Sequence, residues 1–191
     1  LKKFLKFSYF VVFLQLNCLR QSKFMRLFYF ALLLFSVQNF ANAQTLYKDF
    51  HFDMPIEEAK QILQKNSQTL KNIVFGNGTS YAFRKRSLVA HDDNLVSINI
   101  WSKKNLNLAQ ATQYLKQTRA HFESNNYKTV YAQDNWSDPI LVKKNLPCIR
   151  FVDSDKSVVI EMDPRGQGSV YNVFITFYNY DWFLSKAKGE E

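Results

Sequence analysis

The chain has 191 residues, 25 of them Lys or Arg against 16 Asp or Glu, and its formal charge of +9 points at first to an anionic partner. The charge is unevenly spread: residues 1–43 hold Lys2, Lys3, Lys6, Arg20, Lys23 and Arg26 and no acid, so 19 basic and 16 acidic groups remain beyond them, a net of +3. That balance makes no case for nucleic acid, which calls for a clustered basic face, and the length admits one domain or two very small ones.

Met25-Arg26 supplies a start and a positive charge, residues 27–37 form an apolar run of eleven, and residues 38–43 end in Ala41-Asn42-Ala43 before Gln44. This is the n-region, h-region and small-residue cleavage site of a secretory signal, so residues 25–43 are expected to be removed near Ala43. Eleven apolar residues fall short of the ~20 that span a bilayer. The mature chain is therefore expected to be secreted or periplasmic, with no transmembrane span. Residues 1–24 form a second basic-then-apolar stretch without an initial Met, read as an over-long start with Met25 as the initiator. Lipidation of Cys18 competes with that reading, but bulky Asn17 sits where a small residue is wanted. Cys148 is then the one cysteine of the mature chain, which cannot close an internal disulfide. In the strand-like run 147–152 it is expected to be a buried, inert thiol.

In chain order, Phe50 and Phe52 lead into a first amphipathic helix. Pro55 suits its first turn, Glu57 and Glu58 complement the helix dipole, and Ile56, Ala59, Ile62 and Leu63 share one face. Strand candidates follow at residues 73–75, 79–90 and 96–101, with turns at Gly76-Asn77-Gly78 and at His91-Asp92-Asp93-Asn94. Val96, Ile98 and Ile100 alternate with Ser97, Asn99 and Trp101, the period-2 pattern of a half-buried strand. A second helix opens with Asn107 as N-cap and Gln110 three residues on. Its stripe is Leu108, Ala111, Leu115, Thr118 and Phe122. Four further strands are expected at residues 127–132, 148–152, 157–162 and 169–180, with turns at 153–156 and 163–166. A loop covers 133–146, with a short strand at 140–142, and residues 186–191 read as a frayed tail. The order α-β-β-β-α-β-β-β-β specifies an α+β fold, an antiparallel sheet with two helices on one face. Residues 44–191 form a single domain, with helix-plus-meander occurring twice as a tandem pseudo-repeat.

The stretch Phe52-Asp-Met-Pro-Ile-Glu-Glu-Ala-Lys-Gln-Ile-Leu63 resembles the "GM(S/T)xEEVxxIL" opening of small exported modules. These are the outer-membrane-assembly lipoproteins of the SmpA/OmlA type and the β-lactamase-inhibitor-like proteins. The resemblance implies helices on one face of an antiparallel sheet and carries no site residues. Asp53 replaces the glycine of that opening and Pro55 its capping hydroxyl, so a different turn into the helix is expected.

No arrangement of residues specifies catalysis or a cofactor. His51, His91 and His121 are isolated, and His91-Asp92-Asp93 reads as a solvated turn. Asp153-Ser-Asp-Lys-Ser157 mimics half a calcium loop, but Val158 stands where the glycine belongs and Pro164 where the glutamate does. Gly76-Asn-Gly78 and Gly166-Gln-Gly168 make neither a dinucleotide fingerprint nor a P-loop. Arg84-Lys85-Arg86, Lys103-Lys104 and Lys143-Lys144 suit an edge strand, where charge discourages pairing, with anionic headgroups or envelope polymers as the alternative partner.

The aromatic residues carry the functional expectation. In the last strand Tyr171, Val173, Ile175 and Phe177 take one face, and Phe174, Thr176, Tyr178 and Tyr180 the other. Helices on one side bury one of these faces. The second then displays Trp101, Phe174, Tyr178 and Tyr180 as a binding surface, unless the 133–146 loop or the Trp182–Leu184 tail covers it. The expected protein is a non-enzymatic exported module that binds a protein or envelope ligand. An inhibitor of a secreted or periplasmic enzyme is the first alternative and a small hydrolase the second.

Overall fold

The computed structural model describes residues 44–189, so the signal sequence, the upstream stretch and Cys18 lie outside the described residues. A two-stranded ribbon comes first, β1 (Thr45–Tyr47) against β2 (Phe50–His51), followed by helix α1 (Ile56–Lys65) and the single turn α2 (Ser67–Leu70). The strands β3 (Tyr81–Ala82), β4 (Leu88–His91) and β5 (Asn94–Ser102) precede helix α3 (Leu108–Ser124) and β6 (Lys128–Gln133). A short helix α4 (Pro139–Lys143), the strands β7 (Cys148–Val152), β8 (Val158–Gln167) and β9 (Val170–Asn179), and helix α5 (Tyr180–Lys188) complete the described chain. The seven-stranded sheet runs β3-β5-β9-β8-β7-β6 with β4 also beside β5, and every pairing is antiparallel. The fold is α+β. No helix among the described residues is long and apolar enough to cross a membrane.

Periodicity explains how the core closes. On the inner face lie Ile98 and Ile100 of β5, Tyr171, Val173, Ile175 and Phe177 of β9, Ile160 and Met162 of β8, and Ile149 and Phe151 of β7, all buried. The stripe of α3 packs there, and Ala111, Leu115, Thr118 and Phe122 are buried in turn. Full burial of a side chain such as Leu115 contributes about 1.5–3 kcal/mol. The helix begins where expected: the Gln110 N–H donates to Asn107 Oδ1 at 2.9 Å, and the Asn107 N–H donates to Gln110 Oε1 at 2.9 Å. Inside the core the Tyr81 hydroxyl meets the Thr118 hydroxyl at 2.5 Å, which satisfies both, and burial pushes the Tyr81 pKa far above its usual range. Gly76 turns tightly against α3 with φ 77°, where a Cβ would lie 2.8 Å from the Gln117 carbonyl oxygen.

Helix α1 starts after a turn in which Asp53 holds φ 63°, the left-handed region, at the position where the resembled opening has glycine. Of its expected stripe, Ala59 is fully buried while Ile56, Ile62 and Leu63 are half-buried. Its first turn is tied to the β4–β5 hairpin by Ile56 N–H to the Asp93 carbonyl at 2.8 Å.

Five local readings are corrected. The strand expected over 79–90 is broken: β3 and β4 both lie along one edge of β5, and Arg84-Lys85-Arg86 is thrown out between them. Residues 73–75 form no strand; Ile73 makes a single bridge to Tyr81. Residues 140–142 lie in helix α4 because Asp138 accepts from the Ile140 N–H at 2.8 Å and Pro139 stands in the first turn. The expected turn at 163–166 is instead the continuation of β8 to Gln167. Pro164 is tolerated there because the pairing with β7 ends at Met162, leaving β8 beside β9 alone. The tail expected over 186–191 starts instead within helix α5: Asn179 accepts from the Trp182 N–H at 2.8 Å, and Gly189 closes the helix in the left-handed region.

Candidate functional site

The second face of the sheet is organised in cross-strand rows, because antiparallel register places the odd-numbered side chains of β8 beside the even-numbered ones of β9. One row is mainly apolar: Val152, Val159, Tyr178 and Val89, with Ser97 between the last two. Helix α5 lies over it, with Trp182 stacked on Tyr178 at 6.0 Å and Phe183 5.4 Å from the same ring. The loop 133–146 does not reach this face; its Trp136 and Val142 join the core on the α3 side.

The middle row is polar. Tyr131, Arg150, Glu161, Thr176 and Asn99 stand side by side across five strands. Arg150 pairs with Glu161 at 2.7 Å and places its guanidinium 4.9 Å from the Tyr131 ring. The third row is aromatic and acidic: Trp101 of β5, Phe174 of β9 and Asp163 of β8 are consecutive neighbours. The Trp101 and Phe174 rings lie 5.1 Å apart. Two guanidiniums lie on them, Arg84 at 4.6 Å from the Trp101 ring and Arg165 at 4.6 Å from the Phe174 ring. The bulge between β3 and β4 supplies Arg84, and the extension of β8 past Pro164 supplies Arg165, whose Nε donates to Asp163 Oδ2 at 2.7 Å.

The four residues expected to form a binding surface are thus distributed unequally. Trp101 and Phe174 form a half-buried pair under cationic caps, and Tyr178 lies under α5. Tyr180 does not belong to the strand at all. Since β9 ends at Asn179, Tyr180 is the first residue of α5 and departs from the strand alternation that grouped it with Phe174 and Tyr178. Sequence reading missed Arg84, Arg165 and Asp163 as members of the site. Extending the period-2 pattern of β8 forwards from Val159 and Glu161 through Asp163 and Arg165 would have put both on the face of Phe174.

Two polar atoms in this row are buried without a hydrogen-bond partner: the Trp101 Nε1–H and Asp163 Oδ1. Burial raises the Asp163 pKa and outweighs the Arg165 guanidinium, which acts the other way. The folded chain then holds this proton more tightly than the unfolded chain does. Stability linked to Asp163 is therefore greatest at low pH and declines as pH rises through the carboxylate range. Asp163→Asn should remove the dependence, so the variant's stability relative to the parent improves between about pH 3 and about pH 6. Urea titrations across that interval check this, and a difference that stays constant contradicts it.

Cys148, at the start of β7, has its thiol pushed up to about 12, first by burial and then by Glu161, so it stays protonated at neutral pH. His91 lies in the exposed β4–β5 hairpin 3.4 Å from Asp92. Among the described residues no three His, Cys, Asp or Glu side chains converge to hold a metal ion.

Fold and site together define a small α+β protein whose sheet carries α3 on one face and a capped aromatic row on the other. Comparison of the chain with protein-family models, with curated proteins and with solved structures finds no match in any of the three.

Proposed function

We propose that the protein is an exported, non-enzymatic binding module that takes a protein or envelope ligand on the second face of its sheet, at Trp101 and Phe174. The observation that carries this reading is the pair of unsatisfied buried atoms, Trp101 Nε1–H and Asp163 Oδ1, flanking the Phe174 ring beneath exposed arginines. An unmade hydrogen bond at a buried group costs about 1–3 kcal/mol. Arg84 and Arg165 are exposed at the surface, and long side chains of this kind can swing aside. A ligand that displaces them and offers an acceptor to the indole and a donor to the carboxylate recovers that cost, with the two rings as an apolar bed. The leader ending near Ala43 and the resemblance of residues 52–63 to exported modules support the compartment. The protonated thiol of Cys148 is unsuited to act as a nucleophile, which weighs against the hydrolase reading.

A photo-crosslinking side chain at Asn172, on the same face beside Phe174, tests the proposal in envelope extract. A discrete adduct is expected, reduced by at least about tenfold in the Trp101→Ala/Phe174→Ala variant. The same probe at exposed Gln113 on α3 should give no such adduct. If position 113 yields the same species, or if the double variant leaves the adduct intact while melting like the parent, the sheet face is not the binding surface.

A further inference from the structure

The break in the edge strand has a second consequence, where it faces α1 and α2. Tyr81 pairs with Ser102 and Leu88 with Ile98, so eight residues on one strand face five on the other and three are extruded. Those three are Arg84-Lys85-Arg86. The bulge is held shut by Ser87, whose side chain accepts from the Arg84 N–H at 2.8 Å and whose N–H donates to the Arg84 carbonyl at 2.9 Å. Bulges of this kind re-aim side chains. Here the redirected cations meet α1 and α2 around a cavity of about 380 Å³. Half-buried Leu63 gives it an apolar wall over a floor of buried Leu70 and Phe83, while Lys60, Lys71, Arg84 and Lys85 bring cations to it and no carboxylate lines it.

Lys60 is balanced by Glu57 at 2.6 Å, whereas Lys71 and Lys85 have no ion-pair partner among the described residues. Protecting an edge from pairing needs charge on the strand and does not need an apolar cavity beside it. Like charges gathered at a concave apolar wall attract a ligand that is anionic at one end and hydrocarbon at the other. We propose that this cavity binds a free single-chain anionic amphiphile, its acidic head at Lys71 and Lys85 and its chain against Leu63, Leu70 and Phe83. The site shares Arg84 with the Trp101–Phe174 row, but Lys71 and Lys85, its proposed head contacts, are not part of that row.

Calorimetric titration of the protein with decanoate, its neutral counterpart decanamide, and inorganic phosphate tests the proposal. Decanoate should bind in the micromolar range, with decanamide and phosphate each weaker by at least about tenfold. Lys71→Glu/Lys85→Glu should weaken decanoate by about tenfold or more, and the milder Lys71→Gln/Lys85→Gln should act in the same direction. Lys116→Glu, the same charge reversal at an exposed position of α3 outside the cavity, should leave it unchanged, which separates this site from a general effect of net charge. Equal affinity for decanamide, or decanoate binding indifferent to both lysine variants, overturns the proposal. Binding to phosphatidylglycerol but not phosphatidylcholine vesicles, without binding of monomeric decanoate, also overturns it by assigning the cations to a membrane surface.

Discussion

Phe122→Ala is expected to destabilise the protein by about 3–5 kcal/mol. The ring closes the last turn of α3 and is buried. It lies 5.1 Å from Phe75, 5.5 Å from Tyr127 and 5.3 Å from Phe151, with Phe177 at 6.4 Å. Those partners come from the 73–79 turn, the approach to β6, and two central strands, so one side chain joins segments far apart in sequence. Removing it leaves a cavity among rings of which Phe151 and Phe177 are fixed by strand pairing and cannot collapse inward. Phe122→Leu, which keeps most of the volume, should cost about 1 kcal/mol. Urea unfolding at neutral pH provides the measurement. A loss below about 1 kcal/mol for the alanine variant would show that the helix end is not fixed where the rings place it.

Gly166→Ala should have the second-largest effect, for a reason unrelated to glycine's flexibility. A Cβ at this position would lie 2.3 Å from the Val170 carbonyl oxygen and 2.9 Å from the Tyr171 Cα, both backbone atoms of the facing strand. No side-chain rotation relieves contacts of that kind, so β8 and β9 must separate. Separation strains two further attachments. Asn145 brackets residue 166 with hydrogen bonds of 2.8 and 3.1 Å, and Tyr171 exchanges backbone bonds of 2.8 and 2.9 Å with Leu106, just ahead of α3. Overpacking of this sort costs about 1–3 kcal/mol and occasionally more. Gly168, two residues on, is the control. It has φ 66° and nothing within 4 Å of its would-be Cβ, so alanine there meets backbone strain alone, about 1 kcal/mol. Thermal melts of the two variants should rank Gly166→Ala clearly below Gly168→Ala; the reverse order refutes the close approach.

The sequence was readable where one local signal had no competitor. The stripe of α3 and its Asn107–Gln110 cap agree with each other, and β5 alternates cleanly, so both elements are found where periodicity puts them. It was misread where two signals conflicted. Ile140-Leu141-Val142 carries β-branched residues, yet the Asp138-Pro139 opening decides for a helix. Tyr180 continues the alternation of the last strand and the residues after it read as a tail, while Asn179 and Gly189 at its two ends decide for helix α5. Asp163-Pro164-Arg165-Gly166 has turn chemistry, but ten paired positions along β8 and β9 outweigh it. The candidate site was half legible for the same reason. Trp101 and Phe174 follow from alternation within single strands. Their arginine caps depend on how many residues a bulge extrudes and where a neighbouring strand stops, which are properties of pairing between distant segments.

The unlike borders of the sheet carry a consequence for self-association. One border is interrupted by the extruded Arg84-Lys85-Arg86 and offers no long run of free amides. The opposite border, β6, keeps six residues with Val130 and Tyr131 exposed and pairs with β7 alone among the described strands. A ribbon with a single receptive border can be lengthened once, by a second molecule meeting it β6 to β6, and the product has no receptive border left. Edge-to-edge growth through the described strands would therefore stop at two chains, with no need of a proline or a lysine fence on both sides.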